Sequence, residues 1–61
     1  MIGKKIKKLA AELGYTQKQL AVRSGCTEAS ISRYINNTRM PTVKVLKRLS
    51  IALGVSVEEL I

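Results

Sequence analysis

The sequence predicts an all-α fold of five short helices, and three observations predict it. Apolar residues recur at helical spacing, and no alternating strand pattern occurs. At four points a bulky or apolar residue, a hydroxyl residue and, four positions further on, another apolar residue mark a helix start. Glycine or asparagine follows each of the first four helical segments, where a left-handed residue ends a helix.

Helix 1 is expected over 2–13. Ile2, Ile6, Leu9 and Leu13 form a narrow apolar stripe, Lys4, Lys5, Lys7 and Lys8 lie opposite, and Gly14 ends the segment. Helix 2, over 17–24, opens with Tyr15-Thr16 ahead of Leu20, and Thr16 with Gln19 completes a capping box. Helix 3, over 28–36, opens with Cys26-Thr27 ahead of Ile31 and is closed by Asn37, which tolerates a left-handed backbone. Helix 4, over 43–53, opens with Pro41-Thr42 ahead of Leu46 and ends at Gly54. Helix 5, over 57–61, opens with Val55-Ser56 ahead of Leu60, with Ser56 and Glu59 spaced as a second capping box. Helices 2 and 3 meet at a tight turn at Gly25. Ala21 is small enough for close approach, and Leu20, Ile31 and Tyr34 point inward.

Sixty-one residues make a single domain, expected over 1–61, and 46% hydrophobic content allows it a core. One cysteine and no histidine exclude an internal disulfide and leave no ligand set for structural zinc, so no metal and no cofactor are expected. Eleven Lys and Arg against four acids give a formal charge of +7. Such an excess points to a polyanion, nucleic acid ahead of an anionic membrane. No apolar run approaches a membrane span, and the lysine-rich start lacks the apolar stretch of a secretory signal. A cytoplasmic setting is expected. The chain has neither His nor Asp, and nothing beside Cys26 could activate it, so no catalysis is expected.

Helix 3 carries the most informative face. At 100° per residue, Glu28, Ala29, Ser32, Arg33 and Asn36 fall within an arc of about 140°, opposite Ile31 and Tyr34. Small and polar groups there suit entry into the major groove of DNA. Arg33 can donate two hydrogen bonds to guanine, Asn36 can bond adenine or a phosphate, Glu28 can accept from cytosine, and Ala29 can meet a thymine methyl. Gln17 and Thr27 stand at helix starts that attract phosphate. Arg39 follows helix 3 in a loop and Lys44 opens helix 4. Gln17, Arg39 and Lys44, then Lys18 and Thr38, are the expected phosphate contacts. The lysines of helix 1 stay divided between this role and a solvated face.

These residues resemble the Cro and phage-repressor type of helix-turn-helix domain, also called the xenobiotic-response-element family. The likeness rests on Thr16-Gln17-x-x-Leu20-Ala21, Ser24-Gly25-Cys26-Thr27, Ile31-Ser32-Arg33, Asn36, Pro41 and Ala52-Leu53-Gly54-Val55-Ser56. The resemblance implies a compact five-helix, lambda-repressor-like DNA-binding domain with its helix-turn-helix at helices 2 and 3. It also implies a bacterial or phage-encoded transcriptional regulator at the nucleoid, a repressor or Cro-like, binding an inverted-repeat operator as a homodimer. By the same resemblance Thr27, Glu28, Ala29, Ser32 and Arg33 read bases, and Gln17 anchors the backbone. One departure stands out. Where family members often carry a glutamate paired with an arginine on helix 1, this chain has Ile35 and Ala10, an apolar exchange that can be neutral or stabilising.

Val45, Ile51, Val57 and Ile61 are left over from the core pattern, and a twofold dimer through helix 5, with Val57 and Ile61 at its interface, is expected. No small-molecule ligand and no membrane partner are expected. The chief alternative is an antitoxin-type or other protein-interaction module on the same fold, for which 61 residues leave little room. A membrane-active basic peptide would not need the helix caps, and RNA binding would want more than Tyr15 and Tyr34, both assigned to packing.

Overall fold

A computed structural model describes all 61 residues. The helices are α1 (Ile2–Glu12), α2 (Gln17–Ser24), α3 (Glu28–Ile35), α4 (Val43–Leu53) and α5 (Val57–Leu60), with no strand. Each expected helix is present. Leu13, Asn36 and Ile61 fall one residue outside their helices, at cap positions.

Three of the four connections repeat one unit, in which the residue ending one helix stands two positions before the cap of the next. The units are Gly14-Tyr15-Thr16, Gly25-Cys26-Thr27 and Gly54-Val55-Ser56. At the second, Gly25 takes φ 71°, a left-handed value that suits glycine. Its N–H reaches the Val22 carbonyl at 3.3 Å while the Cys26 N–H reaches that of Ala21 at 2.9 Å. This double bond pattern satisfies carbonyls left open at the helix end. Gly14 with Tyr15, and Gly54 with Val55, make the same pair of bonds. Thr16, Thr27, Thr42 and Ser56 then accept N–H groups of the helices they open. Only Thr16 and Gln19 form the complete capping box, at 3.1 and 2.9 Å. At Ser56 the expected box is half made: its hydroxyl accepts from the Glu59 N–H but donates to the Glu59 carboxylate, leaving its own N–H outside the exchange.

The caps aim apolar residues at one centre. Ile6, Leu20, Ile31, Leu49 and Leu60, one from each helix, are fully buried. Tyr15, Cys26 and Val55 pack on this core from the connecting units. α3 packs against α1 and α2, α4 against α2 and α5, and α5 returns to α1, closing the ring of helices. The Lys5 ammonium donates to the Ile61 carbonyl across that last junction.

Two expectations about the core need correction. Leu13 is 47% exposed, because the apolar stripe of α1 runs past the last element able to cover it. The buried side of α1 runs instead through Gly3 and Ala10, and Gly3, having no side chain, lets the end of α3 approach. Of the four residues left over from the core, Val45 packs on it, Val57 is half-buried, and Ile51 and Ile61 are exposed.

Candidate nucleic-acid interface

α3 begins where the Thr27 hydroxyl accepts the Ser30 N–H at 3.0 Å and donates to the Ser30 hydroxyl at 2.9 Å. One side of α3 is anchored by Ile31 and Tyr34, both buried, with Ile35 half-buried beside them. The opposite side is open. Glu28, Ala29, Arg33 and Asn36 are exposed and Ser32 is half-buried, with no large apolar side chain among them. The Asn36 amide donates to the Ser32 hydroxyl at 3.4 Å, so these two groups lie one helical turn apart on the same side. The face expected to read bases is therefore presented to solvent as a unit.

Thr27 differs from the others in that its hydroxyl already serves the helix start. A base contact from it would compete with the cap. Thr38 is similar: its hydroxyl and its N–H both donate to the Arg33 carbonyl, at 3.3 and 3.0 Å. Serving a phosphate would require that hydroxyl to turn away from the end of α3.

Gln17, Lys18, Arg39 and Lys44 are all exposed. Gln17 is the first residue of α2 and shares a hollow of about 210 Å³ with Lys7, Ala10, Ala11, Tyr15, Leu20 and Ile35. Ala10 and Ile35 line the same open space. Lys7 on its rim is a residue that sequence reasoning had not separated from the other lysines of α1. Helical periodicity places all four away from the core, and only the packing of α1 on α3 brings one of them beside Gln17. Arg39 lines a second hollow, of about 370 Å³, with Met1, Ile2, Asn37 and Met40. Tyr15, which leads into α2, is covered by the Arg23 guanidinium 4.6 Å from its ring centre, a cation–π contact that leaves the ring committed to the protein.

A basic five-helix body with two helices around a left-handed glycine, the second open on its polar side, defines a helix-turn-helix protein. The helix-turn-helix family profile matches residues 6–60. The chain belongs to this family, of the Cro/repressor type, and its function is DNA-binding transcription regulation. Among relatives, it is 38% identical over 61 residues to the uncharacterised HTH-type transcriptional regulator y4dJ of Sinorhizobium fredii, covering 100% of this chain and 79% of that one. Among solved structures, the N-terminal DNA-binding domain of SinR from Bacillus subtilis superposes with a TM-score of 0.93 at 34% identity, over 98% of this chain and 88% of that one. SinR, the master regulator for biofilm formation, in complex with DNA gives 0.94 at 34% identity, over 98% and 97%. The restriction-modification controller protein C.AhdI from Aeromonas hydrophila shares the fold, with a TM-score of 0.95 at 23% identity over 98% and 91%.

Proposed function

We propose that the chain recognises a specific sequence in double-stranded DNA by laying α3 in the major groove and regulates transcription from that site. The observation that carries this reading is the open, apolar-free face of Glu28, Ala29, Ser32, Arg33 and Asn36 on a helix whose other side is locked into the core. Arg33 reads guanine, Asn36 and Ser32 act together on neighbouring edges, and Glu28, Ala29 and Thr27 complete the set. Gln17, Lys18, Arg39 and Lys44 hold phosphates, joined by Lys7 on the rim beside Gln17 and by Thr38 once its hydroxyl is released. The role is binding, with no catalytic step and no cofactor.

The body measures 22 × 21 × 19 Å. That is less than the roughly 34 Å between successive major-groove faces on one side of a duplex, so one copy covers one half-site. Two copies related by a twofold axis, meeting through α5 with Ile61 exposed and Val57 half-buried, would read an inverted repeat. The setting is the bacterial cytoplasm. No helix is long and apolar enough to cross a membrane.

Selection of bound duplexes from a random pool at fixed salt tests this reading. Enrichment of one short half-site, repeated in inverted orientation about one helical turn apart, is the expected result. A pool that remains random after selection overturns it. Sedimentation with the selected duplex, showing one copy bound per site at every concentration, would remove the dimer.

A further inference from the structure

Four of the five helices begin with a hydroxyl cap of their own: Thr16, Thr27, Thr42 and Ser56. α1 does not, because its cap position is Met1, whose side chain makes no such bond. An N–H of its first turn finds its partner far off in sequence. The Gly3 N–H donates to the Asn37 side-chain oxygen at 3.1 Å, across 34 positions of sequence. Asn37 stands where the other helix ends have glycine, at φ 59°, and makes the same backbone bond, its N–H reaching the Tyr34 carbonyl at 3.2 Å. Glycine would serve that backbone equally well. Only asparagine adds a side-chain acceptor for α1.

Gly3 matches this joint from its own side. It is buried, and a Cβ there would stand 2.6 Å from the Tyr34 carbonyl oxygen and closer still to that of Ile35. The start of α1 is therefore pressed against the end of α3, and one carboxamide ties the two. On either side of that carboxamide in sequence are Asn36, on the exposed side of α3, and the Thr38–Arg39 segment, and Arg39 lines the same hollow as Asn37 and Met1.

We infer that Asn37 is a positioning residue for DNA binding: its bond to Gly3 holds the segment carrying Arg39 at a fixed place relative to the reading face of α3. This rests on the DNA-binding reading above. A flexible segment would have to be ordered by the duplex, at a cost in affinity, whereas a segment tied to α1 is ordered beforehand. Asn37 touches no DNA in this role.

A double-mutant cycle on the selected duplex tests it. Asn37→Gly keeps the left-handed backbone and removes only the acceptor, and its fold is checked by circular dichroism at the assay temperature. It should weaken binding about three- to tenfold, the equivalent of one net hydrogen bond. Arg39→Ala should cost affinity in the parent chain and distinctly less in the Asn37→Gly background, since the segment is already loose there. A purely structural role for Asn37 gives additive effects instead. Additivity, or unchanged affinity for folded Asn37→Gly, overturns the inference. Should Asn37→Gly not fold, amide exchange in the parent chain decides. Bound duplex must slow exchange at Gly3 more than at Leu13, whose N–H bonds to the Leu9 carbonyl at the other end of α1, outside both the reading face and α5. Equal slowing at both overturns it. Failure of the parent chain to prefer any duplex would refute the DNA-binding reading itself, a result distinct from these.

Discussion

The two ends of the recognition helix are held in different ways. At its front, residues 24–27 form a joint made wholly of neighbours: Gly25 turns the chain, Cys26 bonds back to Ala21, and Thr27 caps α3. At its rear, the same backbone bonds recur around Asn37, but the side chain there reaches Gly3 in another helix. The front joint repeats at two other places in the chain, whereas the rear joint occurs once. A local joint needs only a short sequence signal and positions one helix against the next. A joint between distant elements can position a functional segment against the whole body.

The contrast between the joints breaks most completely if the helix between them loses its anchor. Ile31 is fully buried, and Ile31→Ala should cost about 2–5 kcal/mol, read as a fall in the denaturant midpoint. Next in size is the open face. Arg33→Ala should cost about 1–3 kcal/mol on the selected duplex and much less on random DNA, with preference relaxed at one base pair. Equal losses on both would mean that Arg33 holds phosphate and that the face between the joints does not read. The front joint itself is sharpened by Thr27→Ala, which should lower stability by about 1 kcal/mol through the lost cap. If base affinity falls by far more than that loss explains, Thr27 also touches the bases, and the front joint is not purely structural. The smallest effect belongs to the flanks. Lys7→Ala and Lys44→Ala should each reduce the slope of log K against log salt by about 0.9, with little change in sequence preference. A slope unaltered by Lys7→Ala returns that lysine to the solvated face.

Much of this arrangement was legible because its signals are short-range. Hydroxyl caps and left-handed glycines lie within a few residues of the groups they satisfy, so the helix boundaries held to within one residue. The inward positions of Leu20, Ile31 and Tyr34 followed from periodicity alone. Periodicity failed at Leu13, since it tells which side an apolar residue takes but not whether anything arrives to cover it. It was equally mute on Lys7, one of four lysines that all fall away from the apolar stripe until α3 and α2 come to rest beside α1. The spacing of Ser56 and Glu59 suggested a full capping box, yet in the short α5 the hydroxyl turned its proton to the carboxylate instead.

By itself, then, the order of residues determined five helices, where each begins and stops, and which side of the third is free of large apolar groups. These are properties of neighbouring backbone groups and of a fixed angle per residue. Only the tertiary structure decided that Gly3 must be small, that Asn37 caps a helix it does not belong to, and that Lys7 stands by Gln17. Those facts depend on how helices cross, which is set by close packing between side chains distant in sequence.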